Sequence, residues 1–450
     1  MDAVVVGGGI SGLVAARDLA RAGRRTVLLE GRDAPGGSVR SHTVAGLVLD
    51  AGADSFATRS GTVAALVADL GLGDRICTPS PTGAWVELTT GPHPLPRTGV
   101  LGLPAHPFST DVRDTIGTWG SVRAAFDLVA PARVGAGADT LGGLVRARMG
   151  RRVVDRLVRP VVGGIHAADP DAIALDAVAP HLAAALPGAR GSLARAVGTV
   201  SAAAPAGSAV CGLDGGIHGL TDALVADLLA HGGDLRTHNR ATAVHRTADG
   251  WRVDLVNGAL VAEHLVLAAP VLTGLPGLDE VELDQGAQVT LVTLVVDDPR
   301  LDGAPRGTGV LVAPGVEAVR AKALTHATAK WPWLARAAGP GRHVLRLSYG
   351  RGGDQATVLP EDHGELLALA LADASHLLGL PLDAGLLIGS DVVRWTQALP
   401  RPSAAHRDAV AQVRAVTAEL PGLAVTGAWV AGTGLAAVVE DARGAAARIL

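Results

Sequence analysis

Two glycine-rich stretches and a few acids define the chemistry this chain can carry. Gly7, Gly8, Gly9, Ile10, Ser11 and Gly12 follow a short apolar run, and Glu30 with Gly31 closes the next one. At this spacing Gly7 permits a tight turn, and Gly9 lets the backbone approach a pyrophosphate. Gly12 lets the following helix pack close to the strand. The free N–H groups at the start of that helix attract phosphate, and Glu30 can accept hydrogen bonds from ribose hydroxyls. A second pair, Gly36-Gly37, precedes Ser38 and Arg40 and offers another backbone approach with a cation beside it. The stretch Asp50 to Phe56 comes next and contains Gly52, Ala53, Asp54 and Ser55. Near the other chain end, Gly432, Thr433 and Gly434 open a helix at Leu435. The positive end of that helix would stabilise negative charge on a reduced flavin ring. Together these positions predict a flavin dinucleotide held by both chain ends, with no metal site.

These residues need particular elements to place them. Ala3–Val6 reads as a buried strand and 13–22 as a helix with Leu13, Ala16, Leu19 and Ala20 on one face, ended by Gly23. Residues 25–29 and 423–426 read as further strands, and 435–449 as a closing helix. A second β-rich region is expected from strands at 288–296, 308–313 and 343–349. Residues 101–204 read as helical, and their many Asp and Arg residues predict a solvated face. The expected class is α/β: a Rossmann-like dinucleotide domain from 1–75, 205–275 and 391–450, a mixed-sheet domain from 76–100 and 276–390, and a helical domain from 101–204.

Composition narrows the classes further. The formal net charge of −4 excludes the basic footprint of a dedicated nucleic-acid binder. No apolar run is long enough to span a membrane, so a cytoplasmic protein is expected, and peripheral membrane contact is allowed but not favoured. Cys77 and Cys211 fit no metal-ligand spacing and read as reduced thiols. Three Phe, one Tyr and seven Trp are few for 450 residues, so the core must be built from Ala, Val and Leu. Lysine occurs only at Lys322 and Lys330.

Several segments resemble the porphyrinogen-oxidising flavoproteins of the amine-oxidase-like superfamily, and most of all the bacterial coproporphyrin-forming oxidases. Asp50–Phe56 is similar to their acid-x-Gly-Pro-Asp-Ser-Phe stretch, with Ala53 in place of Pro. Arg159–Asp169 resembles their Pro-x-x-x-Gly-Ile-Tyr/His-Ala-Gly-Asp segment. Thr325–Trp331, Arg394-Trp395 with His406, and Gly427–Ala442 resemble later family motifs. Ser38, Ser60 and Arg401-Pro402 depart from the pattern.

The resemblance implies an amine-oxidase-like fold, FAD, and six-electron oxidation of coproporphyrinogen III to coproporphyrin III in haem biosynthesis. Hydride would pass to flavin N5, and oxygen would reoxidise the flavin to give peroxide. It further implies that Trp395 lies near the flavin and that Val244 begins a turn touching adenine through its backbone. Asp54, Arg59, Ile165, His166, Val310 and Leu311 become substrate-side candidates. Three rivals remain: a protoporphyrinogen IX oxidase on the same scaffold, a flavin amine oxidase, and a flavin-free escort protein. Too few aromatics for an amine cage, and no lysine on strand 288–296, weigh against the amine oxidase. The intact glycines and Glu30 weigh against the escort.

Overall fold

A computed structural model describes the whole chain except residues 59, 97–98, 167, 203–209, 279, 285, 351–357, 400–403 and 433. For 165, 166, 177, 287, 397–399 and 404 it describes the backbone alone. Arg59, Thr433, Arg401-Pro402 and the side chains of Ile165 and His166 therefore lie outside the described residues.

Ala3–Val6 is the middle strand of a five-stranded parallel sheet. In spatial order the strands are Asp234–Arg236, Thr26–Leu29, Ala3–Val6, His264–Leu267 and Leu423–Val425. Three separate stretches of chain thus share one sheet. Ala3–Val6 is a continuous, fully buried apolar run because both faces of the sheet are covered there, whereas the edge strand Asp234–Arg236 is partly exposed. Ala3 and Val5 pack with Leu13, Ala16, Leu19, Leu220 and Val439 from helices Ile10–Arg21, Gly219–Ala230 and Leu435–Ile449. Val4 and Val6 face the other way, against Val244, Trp251 and Val253. Those three belong to an antiparallel meander, Ala241–Thr247, Gly250–Leu255 and Gly258–Ala262. This meander forms a separate layer beneath the parallel sheet.

The second sheet has seven strands, in the order Leu387–Leu399, Ala287–Asp297, Arg342–Tyr349, Ala323–His326, Gly309–Val312, Trp85–Leu88 and Gly91–Pro94. Alternation along Arg342–Tyr349 sorts its residues. Leu345, Leu347 and Tyr349 join the core beneath helix His363–Leu378. Val344 points the opposite way, towards Trp331 and Leu334. Arg346 shares its parity and reaches the Asp50–Asp54 segment.

Residues 110–202 form short helices around a third core that includes Val112, Ile116, Leu141, Leu157 and Leu193. The expected solvated Asp and Arg face is present in part: Arg113, Asp114, Arg146, Arg151 and Arg152 are exposed, whereas Arg148 is buried. Gly117 breaks helix Thr110–Ala125 with φ 75° and ψ 164°. Arg152 and Arg156 donate to the carbonyls of Ile116 and Thr115 beside the break. Arg148 is fully buried on Asp127, and Arg123 donates to the carbonyls at the end of helix Leu141–Arg148. Arg123, Arg152 and Arg156 thus serve backbone acceptors, a use that composition cannot reveal. The exposed surface also carries Trp119, 80% exposed, with Val122, Phe126 and Val129 at helical spacing.

Cys77 and Cys211 are free thiols on neighbouring strands, where Gly212 rather than Cys211 stands opposite Cys77. Among the described residues no helix is long and apolar enough to cross a membrane, and no cluster of His, Cys, Asp or Glu is arranged to hold a metal ion.

Candidate functional site

The glycine turn lies at the carboxyl ends of the first two parallel strands, where open α/β sheets present ligand crevices. Gly7 has φ +106°, and a Cβ there would crowd Ala268 and Ala269. A Cβ on Gly12 would come within 1.8 Å of the Gly7 carbonyl oxygen, so the helix can sit this close only with glycine. Gly9 differs from both, since a Cβ there would meet nothing within 4 Å. It caps helix Ile10–Arg21 with no side-chain hydrogen bond, leaving the first helical N–H groups for a ligand. Ile10 and Ser11 are buried behind it.

Glu30 and the second glycine pair are tied to this turn. The Gly8 amide donates to the Glu30 carboxylate at 2.9 Å, and the Arg32 amide donates to its other oxygen at 2.8 Å. Gly31 packs against Arg240. The Gly36 amide donates to the Gly8 carbonyl at 2.7 Å, which brings Gly37 against Gly9. Next, the Ala53 amide donates to the Ser38 carbonyl at 2.9 Å, and Gly52 lies flush on that same carbonyl. Arg40 lies over the Trp395 ring, 5.2 Å from its centroid, and the Trp395 indole donates to the Ala51 carbonyl at 3.2 Å. Residues from distant parts of the sequence are thus brought together.

Asp54 is the most strongly engaged acid here. Lys330 Nζ donates to its carboxylate at 2.9 Å, Arg346 approaches to 3.3 Å, and Ser55 Oγ donates at 3.0 Å. Burial alone would push this carboxyl up, but the charges of Lys330 and Arg346 prevail and hold it well below the usual carboxylate range. Arg346 also donates to the Gly52 carbonyl at 2.8 Å. Lys330 stands out in the sequence for the rarity of lysine, whereas Arg346 does not stand out. Only the register of strand Arg342–Tyr349 reveals it, because nothing local distinguishes Arg346 from other arginines.

The remaining candidates divide. Gly432 and Gly434 border open space, while Leu435 packs on the helices of the parallel sheet. Leu311 lies against Gly164 of helix Arg159–His166, where the most specific family-like segment meets the seven-stranded sheet. Val310 does not line that contact; it is buried in the sheet's own core. Val244 lies within a strand rather than at a turn, and its amide donates to the Thr273 carbonyl.

Known proteins share this architecture. Residues 10–450 match the flavin-containing amine oxidoreductases. The coproporphyrinogen III oxidase of Mycobacterium tuberculosis is 32% identical over 97% of this chain and 95% of its own. That of Bacillus subtilis is 24% identical over 98% and 96%. A crystal structure from Exiguobacterium sp. 255-15, assigned provisionally as a protoporphyrinogen oxidase, superposes with TM-score 0.86 and 27% identity. It covers 100% of this chain and 98% of that one.

Proposed function

Since the chain belongs to the flavin-containing amine oxidoreductases, we propose that this flavin-dependent oxidoreductase uses FAD to oxidise coproporphyrinogen III to coproporphyrin III. The near full-length likeness to coproporphyrinogen III oxidases of Mycobacterium and Bacillus carries the reading. The local geometry fits the cofactor. A Cβ would enter open space at Gly9, Gly432 and Gly434, yet would strike backbone at Gly12 and Gly52. The first set lines room for a ligand, and the second closes the walls.

In this reading Gly7, Gly9 and the start of helix Ile10–Arg21 hold the pyrophosphate. Glu30 holds a ribose, and Gly37, Ser38 and Arg40 hold the chain leading to the ring. Gly52–Ser55 back the ring, with Trp395 buttressing Gly52 from behind, and Gly432, Gly434 and Leu435 close its far edge. Bound there, FAD would accept hydride at N5 and pass the electrons to oxygen, giving hydrogen peroxide. Six electrons leave the porphyrinogen as three such pairs, with tautomerisation renewing the donor carbon. The chain's task is therefore to orient the macrocycle with a bridging carbon towards the ring and exclude water.

The aliphatic contact of Leu311 with Gly164, at helix Arg159–His166, is the proposed substrate wall. Ile165, His166 and Arg59 are further candidates for it. Two free thiols fit a cytoplasmic, reducing compartment. Strand Ala287–Asp297 contains neither lysine nor aromatic residue, which disfavours amine oxidation. Protoporphyrinogen IX is the second reading, favoured by the Exiguobacterium structure. Parallel turnover assays, following porphyrin fluorescence and oxygen uptake, test the choice. Faster turnover of coproporphyrinogen III supports the first reading, and faster turnover of protoporphyrinogen IX supports the second.

A further inference from the structure

Two cations share one carboxylate at the stretch proposed to back the flavin. Lys330 and Arg346 come from the seven-stranded sheet region, and Asp54 comes from the loop after Leu47–Asp50. The three side chains are between 15% and 18% exposed, so solvent screens them poorly. Their sum is one positive charge in excess. Arg346 is spent on the carbonyls of Asp50 and Gly52 as well as on Asp54. The Lys330 ammonium has three N–H donors and gives one to Asp54. Its position is fixed. It ends the short helix Ala327–Lys330, its carbonyl accepts from the Ser80 amide at 2.8 Å, and its ammonium sits 4.9 Å from the Trp331 ring centroid.

We infer that Lys330 is an electrostatic positioning residue: held by Asp54 beside the flavin-backing stretch, it makes bound flavin easier to reduce. The inference rests on the cofactor placement proposed above. A flavin that accepts a hydride takes two electrons and one proton, so its ring gains one negative charge. The excess charge of the trio lies at the same stretch, in a weakly screened setting where such compensation is strong. Asp54 weakens that compensation while holding Lys330 in place. The two residues therefore act with opposite sign on the flavin, although both belong to a single bridge.

That opposition separates tuning from mere clamping. In the purified, flavin-loaded protein, the reduction potential is read against a reference dye without oxygen. Sulfite, which adds its lone pair at N5 and leaves one extra negative charge on the ring, serves as a second probe. Lys330→Met should disfavour reduced flavin about tenfold, a fall of about 30 mV for a two-electron couple, and weaken sulfite binding about tenfold. Lys330→Arg should restore both to within about threefold. Asp54→Asn should move both readings the other way.

A clamp would shift K330M and D54N in the same direction, and that result, or an unmoved K330M, overturns the inference. If K330M does not fold, D54N decides alone: an unchanged or lowered potential overturns it. Wild-type protein that binds no flavin would defeat the cofactor reading instead, so the two failures are distinguishable.

Discussion

The Gly8 amide donates to the Glu30 carboxylate at 2.9 Å, so the acid ending one parallel strand is tied to the glycine turn ending its neighbour. Both oxygens of Glu30 already accept backbone N–H groups, yet each keeps lone pairs for a ribose. Hydrogen bonds to a charged group contribute about 1.5–3 kcal/mol. Glu30→Ala should therefore weaken flavin binding roughly 10- to 100-fold, as read by quenching of flavin fluorescence on titration. Unchanged affinity would remove Glu30 from the site.

Gly9 and Gly12 should fail in different ways. Gly9→Ala adds a methyl group to open space at φ −70°, so the stability of flavin-free protein should change by less than about 0.5 kcal/mol. Flavin retention should nevertheless collapse, because the methyl group stands where a pyrophosphate must approach. Gly12→Ala drives a Cβ into the Gly7 carbonyl and should cost about 1–3 kcal/mol even without flavin. Urea denaturation of both flavin-free variants, with flavin content measured alongside, checks the contrast.

The strand, turn, helix and acid of the parallel sheet were legible because their signals are local. Ala3–Val6 is apolar throughout, the mark of a strand buried on both faces. The meander at 241–262 was not legible as a separate layer, because short strands do not announce which sheet they join. Val310 is buried in the sheet's own core, and period-two alternation gives two faces without saying which one borders a ligand. Lys330 was noticed for its rarity, but its carboxylate partner lies hundreds of residues away. Such a pairing is created by folding and leaves no local pattern.

A fully buried ion pair ties the helical region together. Asp127 accepts from Arg148 Nε at 2.5 Å, from Ser192 Oγ at 2.7 Å, and from the amides of Leu193 and Ala194, which begin helix Leu193–Ala202. Both side chains are fully buried. Removing one partner strands the other, so Arg148→Met should cost about 3–5 kcal/mol. Arg148→Met with Asp127→Leu should recover part of that loss. A single-variant loss under about 1 kcal/mol in urea denaturation would contradict this.

Acid should weaken the seven-stranded sheet before it reaches the carboxylates. Burial pushes the His326 imidazole down to about 3, and the neighbouring His343, 3.0 Å away, adds to this. Burial lowers His343 too, although Asp302 draws it back. The unfolded chain binds these protons near pH 6.5, whereas folded His326 binds its own only near 3. Its contribution is complete above pH 6.5 and is lost as pH falls towards 3. At about 1.4 kcal/mol per pH unit, the loss from His326 by pH 5 is about 2 kcal/mol. His326→Gln should flatten the stability difference between pH 7 and pH 5 by that amount, and an unchanged difference would refute the assignment.

The central claim is that electrons pass from a porphyrinogen to the flavin. Mixing the flavin-loaded protein with coproporphyrinogen III in the absence of oxygen tests it most directly. Bleaching of the oxidised-flavin absorbance, with coproporphyrin fluorescence rising as it bleaches, is the predicted result. Flavin that stays oxidised with the porphyrinogen but bleaches with an amine would contradict the claim.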